Sequence, residues 1–182
     1  MQTNFTFASN ITQVSDDEFY TIPINNLNLV TSSDSYAESK DPLYTISGLS
    51  MERFRSKTNQ IWATNYAFSD VTGSITGIEV QINIKRNARI EDLVIQLTQY
   101  GKLIGDNRAI QQTSQESFMS GIAQPTDFFV YGGPNDMWGT LLTVGDINDP
   151  SFGVVISFQS NETLPHRDLV YINQLGMRVI YS

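Results

Sequence analysis

The stretch IEVQINIK, residues 78–85, decides the fold. Ile78, Val80, Ile82 and Ile84 fall on one side of an extended chain, and Glu79, Gln81, Asn83 and Lys85 fall on the other. A period of two carried by β-branched residues belongs to a strand with one face buried and one face in water. Residues 93–97, LVIQL, repeat the pattern with Leu93, Ile95 and Leu97. The link RNARIED between the two runs carries Asn87, Glu91 and Asp92, residues suited to a turn, so the runs are predicted to be adjacent antiparallel strands.

Further out, FGVVISF at 152–158 places Phe152, Val154, Ile156 and Phe158 on one face. MRVIY at 177–181 places Met177, Val179 and Tyr181 on one face and predicts a last strand close to the C-terminus. Weaker strand patterns lie at 19–22, 43–47, 128–131 and 138–144. The best helical candidate, SMERFRSK at 50–57, is short enough to be a single turn or a loop. Many short strands separated by turn residues predict an all-β, antiparallel sandwich. The 182 residues suit a single domain with its own core. No linker or internal repeat divides them. Residues 1–18 lack a strong pattern and are read as an N-terminal arm or edge segment, a candidate for contact with a neighbouring subunit, with the sandwich over 19–182.

Charged residues make up 16% of the chain, and Asn, Thr, Ser and Gln supply the polarity instead. The net charge of −8 opposes binding to phosphate backbones, so nucleic acid is not expected as a partner. Two short basic clusters, Arg53, Arg55 and Lys57, then Lys85, Arg86 and Arg89, are read as solvated turns or as patches facing an acidic partner. With no cysteine, disulfides and thiolate metal sites are excluded. No signal peptide and no membrane-spanning run is expected, and no membrane partner.

The most marked loop region is YGGPNDMWGTLLTVGDINDPSFGVVISF, residues 131–158. Its glycines do not form a dinucleotide-binding fingerprint, and no Gly-Lys-Ser/Thr of a phosphate loop occurs anywhere. Gly132, Gly133 and Gly139 are read as turn glycines, with Pro134 and Asn135 forming a turn. Trp138 is read as a core or rim anchor, with stacking on a sugar ring as the alternative. Counted as a calcium loop from Asp146, the fifth, sixth and twelfth positions are Pro150, Ser151 and Ser157, and all three fail. Asp146, Asn148 and Asp149 are therefore read as side chains bonding the local backbone.

The lone histidine, His166, lies near Asp168, but no nucleophile elbow supplies a serine. No catalytic, metal or cofactor residues are expected, and no enzyme activity. Sequons at Asn4, Asn10 and Asn161 matter only in a eukaryotic secretory pathway.

The order of these elements also carries a resemblance. An early aromatic and proline, Tyr20 and Pro23, precede DSYA at 34–37. Then come ITGIEVQINIK at 75–85, IEDLVIQLTQYGKLIGDNRA at 90–109, YGGPNDMWG at 131–139 and DINDPSFGVVI at 146–156. From about residue 15 to residue 181 this series resembles a family of β-sandwich modules found among tailed-phage structural proteins and some bacterial surface proteins. The chain departs from it where a Trp is usual, offering Tyr20 early on and only Phe118 within 110–121.

The resemblance implies a jelly-roll-like sandwich in a virion protein, of the capsid decoration or cement type. Its partners would be the major capsid protein or other virion proteins, as a homo-oligomer, dimer or trimer. The alternatives are a glycan- or receptor-binding module of a head or tail fibre, with Tyr100, Tyr131 and Trp138 as stacking candidates, or another neck or tail component.

Overall fold

The computed structural model describes residues 1–15, 21–22, 24–25, 37–39, 45–47, 53–55, 57–86, 90–109, 127–160 and 170–182. In chain order the strands are β1 (Thr6–Phe7), β2 (Asn10–Val14), β3 (Thr21–Ile22), β4 (Ile24–Asn25), β5 (Ala37–Ser39), β6 (Thr45–Ser47), β7 (Arg53–Arg55) and β8 (Lys57–Thr58). They continue as β9 (Gln60–Thr64), β10 (Ile75–Arg86), β11 (Ile90–Gln99), β12 (Lys102–Ile104), β13 (Asp127–Gly133), β14 (Gly153–Ser160) and β15 (Val170–Tyr181). Among the described residues the only helix is the single turn α1, Val144–Ile147.

Two sheets form the sandwich. In the first, β13, β10, β15 and β1 lie side by side, with β5 and β4 continuing beyond β15. In the second, β12, β11, β14 and β9 lie side by side, with β2 on the outside of β9. The first strand pairs with the last, β9 with β14, β10 with β13, and β11 with β12. The hairpins nested in this way are then rolled so that β15 also meets β10 and β14 also meets β11. That is the strand order of a jelly roll, which leaves few unpaired edges. The neighbouring pairs are antiparallel, apart from the short parallel pairing of β3 with β8.

Of the alternating residues of 78–85, Ile78, Val80, Ile82 and Ile84 are buried in the core as their pattern requires, but the other face is not left in water, because Glu79, bonded by Arg178, and Asn83 are buried as well. Phe152, Val154, Ile156 and Phe158 face them from the second sheet, with Met177 and Val179 beside them in the first. Burying each large apolar side chain contributes about 1.5–3 kcal/mol. Residues 1–14 run extended along both sheets. Gln2 bridges Ile180, β1 lies on β15, and after Ala8 and Ser9 β2 lies on β9. The boundary expected at 18/19 lies outside the described residues, as do Tyr20 and Pro23.

Several expectations are corrected, among them SMERFRSK at 50–57, whose described residues lie in the strands β7 and β8 and not in a helical turn or a loop. The runs at 78–85 and 93–97 are not neighbours, because β10 belongs to one sheet and β11 to the other. Alternation says which face of a strand is buried, and two strands that bury faces into one core can sit on opposite sides of it. Secondly, Glu91 and Asp92 are not turn residues. Both are buried within β11, and an irregularity between Asp92 and Val94 shifts the register there. Tyr131 Oη donates to Asp92 Oδ2 at 2.6 Å, a hydrogen bond across the core between β13 and β11. Finally, residues 138–144 are a turn leading into α1, not a strand.

Tyr66 and Phe68 stack in the core with ring centroids 6.0 Å apart, and the Tyr66 hydroxyl has no hydrogen-bond partner among the described residues. Burial pushes that phenol far above its ordinary range. An unsatisfied buried hydroxyl costs its desolvation without return. Tyr66→Phe is therefore expected to raise stability by about 1 kcal/mol, read as a higher urea midpoint. A lower midpoint would show that the hydroxyl is satisfied.

Candidate functional site

The loops at one end of the sandwich close around Trp138. The indole is fully buried, and its Nε1 donates to the Ile78 carbonyl at 3.0 Å. Its backbone has φ of +55°, a left-handed conformation that a bulky residue adopts only when its surroundings enforce it. The enforcing contacts can be named. Trp138 N donates to Asp136 Oδ1 at 2.8 Å, and the Trp138 carbonyl accepts from Asp106 N at 2.6 Å. Ile78 N donates to the Asp136 carbonyl at 3.0 Å, so Ile78 is held on both sides by the same loop. Arg108 reaches over to bond Asp136 Oδ1 at 2.7 Å, with Asp106 Oδ2 3.4 Å away.

Two glycines make this approach possible. Gly132 has φ of +83°, and a Cβ there would meet the Ile78 carbonyl and lie 2.6 Å from Trp138 Nε1. A Cβ on Gly105, φ +65°, would overlap the Trp138 carbonyl. The side chain of Asn107 then substitutes for a strand. Its Oδ1 accepts from Ile95 N at 2.9 Å, and its Nδ2 donates to the Leu93 carbonyl at 2.9 Å, so the chain beyond β12 stays attached to β11.

The acidic loop that follows is turned inward on its own backbone. Thr143 and Asp146 form a reciprocal cap on α1: Thr143 N donates to Asp146 Oδ2 at 2.8 Å, and Asp146 N donates to Thr143 Oγ1 at 3.2 Å. Asp149 Oδ1 accepts from Ser151 N at 2.8 Å, closing an Asx turn. Asn148 Nδ2 donates to the Val144 carbonyl at 3.1 Å. The reading of this stretch as local backbone bonding therefore holds. The hydrogen bonds from Thr143 lower the Asp146 carboxyl below the usual range, and those from Ser151 do the same for Asp149. Among the described residues no group of three or more His, Cys, Asp or Glu is arranged to hold a metal ion. No helix there is long and apolar enough to cross a membrane.

The aromatic candidates separate. Trp138 and Tyr131 are buried, the latter bonded to Asp92, so neither offers a ring face to a ligand. Tyr100 stands out at 67% exposure, at the tip of the β11–β12 hairpin, where Tyr100 and Gly101 both have positive φ. Two left-handed central residues are the signature of a tight type I′ hairpin turn. The charges of Asp149 and Asp146 nearby push the Tyr100 phenol above its ordinary range. His166, Asp168 and Asn161 lie outside the described residues, as does Arg89. Asn4 and Asn10 are exposed, and Asn10 Nδ2 donates to Thr64 Oγ1. The sequence reading passed over Trp62, the other tryptophan, which is partly exposed on β9. Its signal is the run Gln60-Ile61-Trp62-Ala63-Thr64, where the tryptophan takes the polar phase of the alternation.

No protein-family description, no characterised protein and no solved structure matches this chain.

Trp138→Ala is expected to lose about 3–5 kcal/mol of stability, measured by chemical denaturation, because it empties the end of the core and orphans the Ile78 carbonyl. An unchanged denaturation midpoint would refute the anchoring role. The lowered Asp146 and Asp149 carboxyls stabilise the fold above their unfolded value of about 3.8, and that contribution disappears as pH falls through the folded values below it. A Thr143→Ala/Ser151→Ala double variant should therefore show a shallower fall in melting temperature below about pH 4 than the parent. Parallel acid limbs for the two proteins would refute the linkage.

Proposed function

We propose that this protein is a structural component of a tailed-phage virion, a capsid decoration or cement protein. It binds the assembled capsid and stabilises it by contacts between subunits. The observation that carries this reading is where the elements of the resemblance lie. Gly77-Ile78, the 105–109 segment and the 131–139 segment are far apart in sequence. They meet at one end of the sandwich, around Trp138, and are bonded to one another. The resemblance thus rests on residues that build one packed unit, rather than on scattered similarities of composition.

The jelly roll suits such a role physically. Its stability comes from a continuous apolar core and from loops that satisfy their own polar groups, which leaves the outward faces for adhesion. The expected partners are the major capsid protein or other virion proteins. A closed dimer or trimer multiplies weak contacts with a repeating lattice.

The test is incorporation. Purified protein mixed with empty capsids of a tailed phage that encodes it should co-sediment at a fixed ratio and raise the temperature at which the particles rupture. Absence from the pellet at saturating protein, with particle heat resistance unchanged, would overturn the reading.

A further inference from the structure

The first sheet ends in an open edge. β13 pairs with β10 on one side, and among the described residues no strand pairs with its other side. Ile78 shows which backbone groups of β13 face outward. Its amide donates to the Asp136 carbonyl and its carbonyl accepts from Trp138 Nε1, so both groups point to the β13 side of β10. Backbone groups alternate in direction along an antiparallel strand, so Val80, Ile82 and Ile84 bond the residues opposite them, Tyr131, Phe129 and Asp127. The residues between, Phe128, Val130 and Gly132, turn their N–H and C=O groups away from the sheet. None of these groups has a hydrogen-bond partner among the described residues.

Sheets usually guard such an edge with lysine, proline, a bulge or a very short strand. β13 has none of these. It is seven residues long, reads DFFVYGG with Asp127 as its only charge, and pairs with β10 without a register shift. The β12 edge of the second sheet, by comparison, is three residues long and begins with Lys102. The side chains beside the β13 edge on the outer face are apolar and open: Phe128 is 54% exposed and Val130 49%.

We propose that β13 pairs antiparallel with β13 of a second copy of this chain, across a two-fold axis at Val130, so that the first sheets of two molecules become one. An isologous contact must be self-complementary, and this strand is. Val130 meets Val130 of the second copy, and Phe128 falls opposite Gly132, which has no side chain to obstruct the ring. The pairs that exchange hydrogen bonds are then the residues whose backbone groups face outward. On the inner side Phe129 falls opposite Tyr131, and Asp127 falls opposite Gly133. No like charges meet across the axis, in a chain of net charge −8. An extended peptide from another protein would use the same backbone groups, but the match of Phe128 with Gly132 is a property of the strand paired with itself. The pairing supplies an interface for the dimer expected of a virion component, yet it rests on β13 alone. Its failure would leave capsid attachment to the co-sedimentation test.

The contact is one strand long, so a dissociation constant on the order of 10 µM is expected. Sedimentation equilibrium of the full chain, from about 1 to about 500 µM, should show a reversible passage from monomer to dimer. Val130→Lys places two like charges on the axis, and Val130→Pro removes a donor that β10 does not use. Each should keep the parent's far-UV circular dichroism and weaken dimerisation by at least about tenfold. Because the chain has no cysteine, a single Val130→Cys variant reports the register. Opposite Cα atoms in a bonded pair lie about 5.5 Å apart, within reach of a disulfide, so it should crosslink under mild oxidation. Tyr100→Cys, at the exposed hairpin tip, should not. A parent that stays monomeric throughout would overturn the proposal and leave the edge to a strand from another protein. A dimer that persists in both Val130→Lys and Val130→Pro would overturn it as well. If neither variant keeps the parent's spectrum, the crosslink decides: Val130→Cys linking no faster than Tyr100→Cys overturns the pairing.

Discussion

A buried indole has one polar atom, and the end of this sandwich is organised around satisfying it. Trp138 Nε1 must find an acceptor inside the core, and it takes the carbonyl of Ile78 in β10. To reach it, the backbone at 138 turns left-handed. That turn then aims the Trp138 carbonyl at Asp106 and its amide at Asp136. The 105–109 segment, which leaves the second sheet, is thereby fixed to a loop that leaves the first. A replacement for Trp138 that kept the volume but lost the N–H would leave the Ile78 carbonyl without this donor, which is why the site depends on hydrogen bonding as well as on size.

The neighbouring polar groups follow the same economy. Asp136 serves Trp138 N and Arg108 with one carboxylate oxygen, and Asp146 and Asp149 spend theirs on Thr143 and Ser151. Across the core, Tyr131 and the inward-turned Asp92 join the sheets by a second buried hydrogen bond. Acidic residues that look available in the sequence are thus engaged in holding loops.

The reading as a virion component rests on the resemblance and on the packed unit that its elements at 77–78, 105–109 and 131–139 form around Trp138.

Much of the fold was legible in residues 78–85, 93–97, 152–158 and 177–181. A period of two is a local property: each side chain's face follows from its own position along the strand. The local bonding of Asp149 was legible for the same reason, since its partner lies within a few residues, whereas Gly132 and Gly133 lie in β13 opposite Glu79 and Ile78 and not in a turn. The capping of α1 by Thr143 and Asp146 is equally local, although Leu141, Leu142 and Val144 give 138–144 the apolar content of a strand. What the sequence could not decide was lateral neighbourhood. Whether β11 lies beside β10 or across the core from it changes no residue's alternation, so only the packing of the whole chain settles it. The same holds for the tryptophans. Trp138 and Trp62 are chemically identical, and one became core and the other surface because tertiary closure brought the Ile78 carbonyl to the first and left the second on the outward phase of an edge-side strand.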